Sequence, residues 1–183
     1  LESQTLLDIK FPPDKICNGW ATEWHCGLPK LFKQLSNILL NGSLLVIDYA
    51  LEAKRYYNAT KKDGTIIAYR NQEASSNVLL DAGSCDLTAH ICIESTISYA
   101  KRNGWKFIGE TRQGQALLAL GLSKFIYSLQ NTINNDLSAS LNRRESLLRL
   151  VDPIGLGEFR WLAFQKSNNR DLILRKRFLE EPI

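Results

Sequence analysis

The sequence has 183 residues, a formal net charge of +4, and ordinary shares of hydrophobic (44%) and charged (23%) residues. These values are typical of one soluble globular domain, or of a core with a small appendage, and there is no internal repeat or low-complexity segment. No apolar run approaches the roughly 20 residues that span a bilayer, so the sequence predicts no membrane span. It starts at Leu1 and contains no methionine, so we expect a processed, trimmed or partial chain.

The charged and metal-binding residues argue against two further classes of protein. Basic residues gather in a tail over 167–183 with no aromatic-lined stripe beside them, which favours a solvated face over a nucleic-acid surface. The cysteines have neither the C-x-x-C nor the zinc-finger spacing, so we predict no metal site. Reduced cysteines are expected in the cytoplasm, which is the predicted location. The cysteines are Cys17, Cys26, Cys85 and Cys92.

The first predicted elements lead to a buried strand. Residues 1–27 are expected to form a strand or hairpin insertion that leads into the sheet, with a turn at Asn18-Gly19. A helix is predicted over 28–39, because apolar residues recur there at helical spacing and Asn41-Gly42 can close it. The following run, Leu44–Ile47, is typical of a strand that is buried on both faces.

Polar residues at the end of this strand are the first candidates for a site. Ligands lie beyond the carboxyl ends of parallel strands, and Asp48 and Tyr49 follow the strand directly. Two long polar stretches, 51–63 and 70–82, flank a short predicted strand at Thr65–Tyr69. Long loops in a compact domain are more often functional than idle, so these stretches are expected to carry function.

The rest of the sequence alternates between helices and strands. A helix is predicted from Leu87 to a stop at Asn103-Gly104, followed by a strand from Trp105 to Glu110. The later predicted elements are a helix that starts at Thr111 and breaks or kinks at Gly121, a helix over 137–151, and a strand at Phe159–Gln165 that we expect to be antiparallel. The predicted fold class is α/β, with a mixed, mostly parallel sheet and flanking helices, and with too few strands for a complete sheet.

Five motifs, in order, resemble a known family. They are NGSLLVIDYA (41–50), GTIIAY (64–69), AGSCDLTAH (82–90), TRQGQALLALGL (111–122) and IGLGEFRWLAF (154–164). Their order and spacing are similar to those of the MidA-like S-adenosylmethionine-dependent methyltransferases, and their variants look most like a cyanobacterial branch. This family includes a mitochondrial assembly factor that methylates an arginine on a respiratory complex I subunit.

The resemblance implies that residues 28–166 form the C-terminal half of a Rossmann-like class I methyltransferase. The family's Gly-rich cofactor loop has no counterpart in the sequence, so S-adenosylmethionine is expected to be bound mainly by residues missing from this chain. Ala50 replaces a usual glycine. Ile67 and Gln72 stand where the family has arginine and histidine, which leaves the roles of those two positions open.

Carboxylates are the candidate catalytic residues, because an arginine acceptor needs paired acceptors to fix the plane of its guanidinium. They are Asp48, Asp86 and Glu23. Two of them have an alternative role. Asp48 is also typical of a strand-end turn, and Asp86 is also typical of a helix N-cap. Methyl transfer itself mainly requires alignment of the acceptor and exclusion of water.

The candidate substrate-binding residues are Tyr49, Tyr69, Thr88, His90 and Gln113. Tyrosines can stack on or hydrogen-bond a substrate, although core tyrosines look the same in a sequence. His90 is placed on the first turn of the predicted helix, where it can equally be a packed or surface histidine. Gln113 can meet a carboxylate, or simply begin a solvated helix.

Three functions follow as hypotheses. The first is a methyltransferase whose acceptor is a protein side chain such as arginine, in a chain that is inactive alone and is a candidate homodimer. The second is a non-catalytic assembly or interaction module that keeps the methyltransferase-like fold and docks a partner at an open sheet edge. The third, a nucleic-acid binder based on the basic tail, predicts a steep salt dependence, and it is the least supported.

Overall fold

The computed structural model describes residues 13–80, 83–130, 137–167 and 177–181. Within these residues the chain forms two compact units. Unit 1 comprises Leu1–Ile38 and Tyr49–Trp105, and unit 2 comprises Leu39–Asp48 and Lys106–Ile183. Residues 1–12 of the predicted insertion and most of the predicted basic tail lie outside the described residues. The predicted division at residues 27 and 166 stays a prediction.

Two helices form the frame of unit 1. Helix α1 (Leu28–Ile38) is amphipathic and buries Phe32, and it packs against a later helix, here α3 (Ile93–Arg102). The hydroxyl of Ser36 donates a hydrogen bond of 2.6 Å to the carbonyl oxygen of Asn103, which ties the two helices together. The predicted helix is confirmed, but Gly42 does not cap it: α1 ends at Ile38, and Gly42 is the first residue of the next strand.

Short strands and one helical turn make up the rest of unit 1. Strands β2 (Ala50–Leu51) and β6 (Ile91–Cys92) pair in parallel, and α2 (Ala53–Tyr56) follows β2. Strand β3 (Ile67–Arg70) lies between two antiparallel partners. These partners are β4 (Glu73–Ser75) and β5 (Asp86–Thr88). The two predicted polar loops are therefore partly structured, by α2 and by the hairpin of β3 and β4.

The helix predicted from Leu87 begins only at Ile93, and this corrects two expectations. Asp86 is not a helix N-cap, because it is the first residue of β5 and pairs with Tyr69. His90 is not on a helical turn either, since it lies between β5 and β6. The backbone of Asp86–Thr88 finds its hydrogen-bond partners in β3, and this long-range pairing overrides the local signal for a cap.

Aromatic residues fill the core of unit 1. Tyr56, Tyr57 and Cys92 are buried against Ala53, with the tryptophans of the 20–24 segment packed around them. The rings of Tyr56 and Tyr57 meet edge to face, with their centroids 4.8 Å apart. Burial of this kind removes large apolar surfaces from water and supplies most of the stabilisation of such a unit.

A three-stranded sheet organises unit 2. Strand β8 (Arg160–Lys166) lies between β1 (Gly42–Asp48) and β7 (Lys106–Arg112), and it is antiparallel to both. The predicted antiparallel orientation of the late strand is therefore confirmed. Both neighbouring pairs of this sheet are antiparallel, and its outer strands β1 and β7 run in the same direction. Because β8 separates them, the prediction of a mostly parallel sheet is wrong for the described residues, in which β2 and β6 are the one parallel pair of named strands.

Strand β8 carries the core of unit 2. Leu162, Ala163 and Phe164 are buried, and the rings of Phe164 and Phe107 lie 5.6 Å apart. Strand β1 differs, because its alternate residues Leu45 and Ile47 are 43% and 44% exposed. The prediction that β1 is buried on both faces is therefore wrong, since an apolar run alone does not reveal which other segments cover it.

Helices follow β7 in unit 2. They are α4 (Gln113–Ala119), α5 (Leu122–Gln130) and α6 (Leu137–Arg149). Gly121 has a φ of +99° and separates α4 from α5, which confirms the predicted break. Among the described residues, no helix combines the length and the apolar character needed to cross a lipid bilayer.

Leu162→Ala should test the central position of β8. Leu162 is fully buried, so its truncation is expected to lower the free energy of unfolding by about 2–5 kcal/mol. Leu45→Ala in β1 is the matched control and should cost less than about 1 kcal/mol, because Leu45 is already 43% exposed. Urea denaturation of the two variants compares them directly. Equal losses would contradict the assignment of the core.

Candidate functional site

A cavity of about 490 Å³ opens on one face of the three-stranded sheet of unit 1. Its volume lies in the range of pockets that hold small molecules or single side chains. The lining residues come from β3 and the turn before it, from β5, and from the segments that flank β2 and β6. They are Tyr49, Thr65, Ile67, Tyr69, Asp86, Thr88, Ala89 and His90.

The register of two strands explains why these side chains converge. Tyr69 lies directly opposite Asp86, and Ile67 lies opposite Thr88. Successive side chains of a strand point to opposite faces, so these four share one face of the sheet. Leu87, the residue between Asp86 and Thr88, must point to the other face. The pairing of β3 and β5 therefore selects a polar and aromatic floor for the cavity.

Tyr49 and His90 form a wall of the cavity. The amide of Ile91 donates a hydrogen bond of 2.8 Å to the carbonyl oxygen of Tyr49, where β2 and β6 begin to pair. This backbone contact brings the two side chains together, and their ring centroids lie 5.8 Å apart. The wall is thus aromatic and is fixed by main-chain pairing.

The lining carries a single acidic residue. Asp86 is exposed to the cavity side of the sheet, and no lysine or arginine is among the described lining residues. Tyr69 and Tyr49 are about two-fifths exposed and offer aromatic faces. Aromatic faces and a carboxylate together attract cations, in particular planar ones such as guanidinium.

Five of the eight predicted site residues therefore line one cavity. They are Tyr49, Tyr69, Asp86, Thr88 and His90. The structure brings them together within unit 1, although their individual roles stay predictions. Sequence reasoning missed Thr65 and Ile67. Both could have been found from the period of two, because 65, 67 and 69 alternate along the chain and Tyr69 was already a candidate.

Glu23 lies behind the cavity rather than in its lining. Its Oε1 accepts hydrogen bonds from the backbone amides of Thr65 and Ile66, each at 2.7 Å. Its Oε2 accepts from the hydroxyls of Tyr56 at 3.2 Å and Thr65 at 3.3 Å. Burial raises the pKa of this carboxyl, but the hydrogen bonds outweigh burial and hold the pKa of Glu23 below its usual value.

Tyr56 and His25 extend this network. Burial, reinforced by the negative charge of Glu23, raises the pKa of Tyr56, so the phenol keeps its proton and donates it to Glu23. The phenol oxygen also lies 3.0 Å from Nε2 of His25. Because the phenol has one proton, this second contact requires the His25 tautomer with a proton on Nε2.

Gly64 allows the chain to wrap closely around the Glu23 carboxylate. A Cβ atom at position 64 would lie 2.5 Å from Oε1 and 2.7 Å from Oε2 of Glu23, and the φ of Gly64 is +76°. Both the close approach and the left-handed backbone require glycine. The Gly-Thr pair of the GTIIAY motif thus serves to hold Glu23.

Asp48 and Gln113 belong to unit 2 and are not among the lining residues of the cavity. Asp48 is the last residue of β1, in register with Arg160. The side-chain amide of Gln113 donates to the carbonyl oxygens of Leu150 and Leu156, and its oxygen accepts from the indole of Trp161. These contacts tie the 150–156 loop to the start of α4. The catalytic and substrate-binding roles of both residues stay predictions.

The described residues contain no group of three potential metal ligands, and all four cysteines are free. The Gly155-x-Gly157 pair packs on its own loop, because a Cβ atom at Gly157 would lie 2.6 Å from the carbonyl oxygen of Asp152. Gly157 is therefore required by the close packing of this loop.

Residues 3–111 match a family model whose description is "Putative S-adenosyl-L-methionine-dependent methyltransferase". The chain belongs to this family. The match covers more than half of the chain and includes every residue that lines the cavity. It confirms the predicted relationship at the level of the methyltransferase family, while the MidA-like branch and its cyanobacterial type stay predictions. None of the curated proteins matches the sequence.

Two solved structures from Burkholderia thailandensis resemble this member of the methyltransferase family. One is a "likely methyl transferase" bound to S-adenosyl-homocysteine, with a TM-score of 0.78 and 20% identity over 100% of this chain and 45% of the other. The second is a native crystal structure of an uncharacterized protein of the same superfamily. Its TM-score is 0.72, with 21% identity over 88% of this chain and 43% of the other.

The structural likeness confirms a mixed α/β fold of the methyltransferase type in coarse outline. Because the sequences are only about one-fifth identical, this likeness shows the fold alone. The chain spans less than half the length of each of the two solved structures. Ligand and activity are therefore matters for proposal and experiment.

The stability of the protein should depend on pH through Glu23. Its pKa is lowered in the folded state, so its charged form stabilises the fold above the pKa of an unfolded glutamate. This stabilisation is lost as the pH falls through the folded-state pKa. Glu23→Gln should cost about 1.5–3 kcal/mol near neutral pH, and the difference from wild type should shrink in acid.

Urea denaturation at a series of pH values measures this difference. Glu73→Gln is the control, because Glu73 is an exposed carboxylate on β4 of the same unit. Because Glu73 is a surface residue, this change should alter the free energy of unfolding by less than about 0.5 kcal/mol. A gap between wild type and Glu23→Gln that stays constant into acid would contradict the prediction.

Proposed function

We propose that this chain forms the acceptor-binding part of an S-adenosylmethionine-dependent methyltransferase that acts on a protein side chain, with arginine as the preferred acceptor. The observation that carries this proposal is the 490 Å³ cavity, with one carboxylate, two tyrosines and no basic residue in its described lining. Membership of the methyltransferase family supplies the reaction class. The free cysteines support our further proposal of a cytoplasmic location.

Asp86 is the residue that we assign to the guanidinium. A carboxylate can accept two parallel N–H bonds from a guanidinium, which fixes the plane of the group as well as its position. Asp86 lies opposite Tyr69 in the sheet, so a guanidinium held by Asp86 would lie within reach of an aromatic face. Asp86 would also take up the proton that an acceptor nitrogen releases on methylation.

Tyr49, Thr88 and His90 complete the proposed acceptor site. The aromatic wall of Tyr49 and His90 would exclude water from one side of the acceptor, and Thr88 offers a hydroxyl on the same face as Asp86. Exclusion of water and fixed orientation are the main contributions that a methyltransferase can make. The catalytic role of Asp48 and the substrate-binding role of Gln113 stay predictions from the sequence.

We propose that the cofactor is bound mainly by residues outside this sequence. One observation supports this: each solved relative has more than half of its length beyond the part that this chain matches. When bound, S-adenosylmethionine supplies the electrophilic methyl group. The residues of this chain hold the acceptor and exclude water.

Calorimetric titration tests the division of labour between acceptor and cofactor sites. S-adenosylmethionine and S-adenosylhomocysteine are titrated into this chain and into the product of the full reading frame that encodes it. We expect binding to the longer product and none to the chain alone. Tight binding to the chain alone would show that the cofactor site lies within it, and binding to neither would remove the support for an enzyme.

Asp86→Asn tests the acceptor site on this chain directly. The probe is methylguanidinium, the smallest mimic of an arginine side chain, followed by chemical-shift titration. Loss of one charge-assisted hydrogen-bonded pair is worth about 1.5–3 kcal/mol, so the affinity should fall by roughly tenfold or more. Asp63→Asn, a change in the same unit outside the cavity lining, is the control. Equal effects of the two changes would contradict the assignment.

A non-catalytic assembly module is the second candidate. The apolar residues Leu45 and Ile47 are exposed on β1, and among the described strands β1 pairs only with β8. A strand with a free edge and an exposed apolar face is a natural place for a second copy or a partner to add. This function predicts self-association in sedimentation experiments together with no cofactor binding to either protein.

A further inference from the structure

Thr65 connects the Glu23 carboxylate to the cavity. Its side chain is 5% exposed and lines the cavity. The hydroxyl oxygen accepts a hydrogen bond of 3.0 Å from the backbone amide of His90. The same hydroxyl donates its own proton to Oε2 of Glu23 at 3.3 Å. A continuous series of hydrogen bonds therefore runs from the wall of the cavity to the half-buried carboxylate of Glu23.

The direction of these hydrogen bonds depends on the charge of Glu23. A hydroxyl has one proton, and here the amide of His90 occupies the oxygen while the proton points to Glu23. Oε2 must therefore act as an acceptor. An ionised carboxylate guarantees this, and the lowered pKa of Glu23 keeps the group ionised. An amide nitrogen in the place of Oε2 would instead offer a second donor to Thr65.

The carboxylate is not available for the acceptor. Four donors surround it: the amides of Thr65 and Ile66 on Oε1, and the hydroxyls of Tyr56 and Thr65 on Oε2. A carboxylate has about four acceptor positions, so contact with a substrate would require breaking one or more of these hydrogen bonds. The absence of a Cβ at Gly64 lets this loop approach the carboxylate so closely.

We infer that Glu23 is a positioning residue, which acts through Thr65 to fix the His90 wall of the cavity, and is not a catalytic base. Two successive backbone amides of the wall are then pinned: that of His90 by Thr65, and that of Ile91 by the carbonyl of Tyr49. With both held, the rings of Tyr49 and His90 keep their spacing. This inference rests on the proposed function only for what the cavity binds.

The inference also gives roles to Tyr56 and His25, which the sequence does not single out. Tyr56 is fully buried and bridges Glu23 and Nε2 of His25. Its hydroxyl donates to the same oxygen, Oε2, that accepts from Thr65, and so helps to hold that oxygen in place. The network thus joins the 23–25 segment, α2 and the 64–66 loop behind a single cavity wall.

Three variants of the full chain separate this role from a general effect on folding. Glu23→Gln keeps the shape of the side chain and replaces one acceptor by a donor. Thr65→Val keeps the volume and removes the hydroxyl, and Thr65→Ser retains the hydroxyl as the conservative variant. Ser36→Ala is the matched control, because it removes a 2.6 Å side-chain hydrogen bond to the backbone of Asn103 in the same unit, outside the cavity lining.

The first readout is the hydrogen-exchange rate of the His90 amide, measured by NMR at equal folded fraction. Glu23→Gln and Thr65→Val should accelerate it about tenfold, and Thr65→Ser should restore it to near the wild-type rate. The second readout is the affinity for methylguanidinium, which should fall roughly threefold to tenfold in the first two variants and recover in Thr65→Ser. Ser36→Ala should change neither readout.

The results distinguish failure of the inference from failure of the proposed function. If the two disruptive variants change His90 exchange no more than Ser36→Ala does, the positioning role is overturned. Failure of Thr65→Ser to rescue the exchange rate overturns the role of the hydroxyl. If the wild type does not bind methylguanidinium, the proposed acceptor is wrong, and His90 exchange still decides whether Glu23 positions the wall.

Discussion

The carboxylate of Glu23 is the interaction on which unit 1 depends. It draws together segments that are distant along the chain, because its four donors come from the 64–66 loop and from Tyr56 in α2. A half-buried charge is costly to desolvate unless such donors satisfy it. The same contacts that satisfy the charge therefore also fix the loop that leads into β3. The cavity inherits its shape from this arrangement.

Unit 2 is organised around one buried strand, which also carries the buried Arg160, paired with Glu110 of β7. Its central strand β8 has the buried run Leu162–Phe164 and antiparallel neighbours on both sides. The side chain of Gln113 donates hydrogen bonds to backbone carbonyls of the 150–156 loop, and so it holds this loop at the start of α4. The two units are therefore organised differently: unit 1 is arranged around a carboxylate, and unit 2 is arranged around a buried strand.

Local patterns predicted the elements better than the pairings. The apolar spacing around Phe32 gave α1 correctly, and the break at Gly121 and the antiparallel β8 followed from turn signals and chain order. The segment from Asp86 to His90 was misread as a helix start, because its residues suit a cap and only the distant partner β3 makes them a strand. Candidate residues were found where motifs marked them. The supporting roles of Tyr56 and Thr65 were not, since hydrogen bonds across 33 and 42 residues leave no local trace.

The chemical character of the cavity depends on the register of β3 and β5, and it does not depend on the length of the loops that connect the strands. The long connection between β4 and β5 can gain or lose residues while Asp86 stays opposite Tyr69. An insertion or deletion within β5 itself would shift the alternation by one residue and turn Leu87 towards the cavity in place of Asp86 and Thr88. The lining of the cavity would then change from acidic to apolar. Divergent relatives could exchange ligand classes through a one-residue slip of this kind.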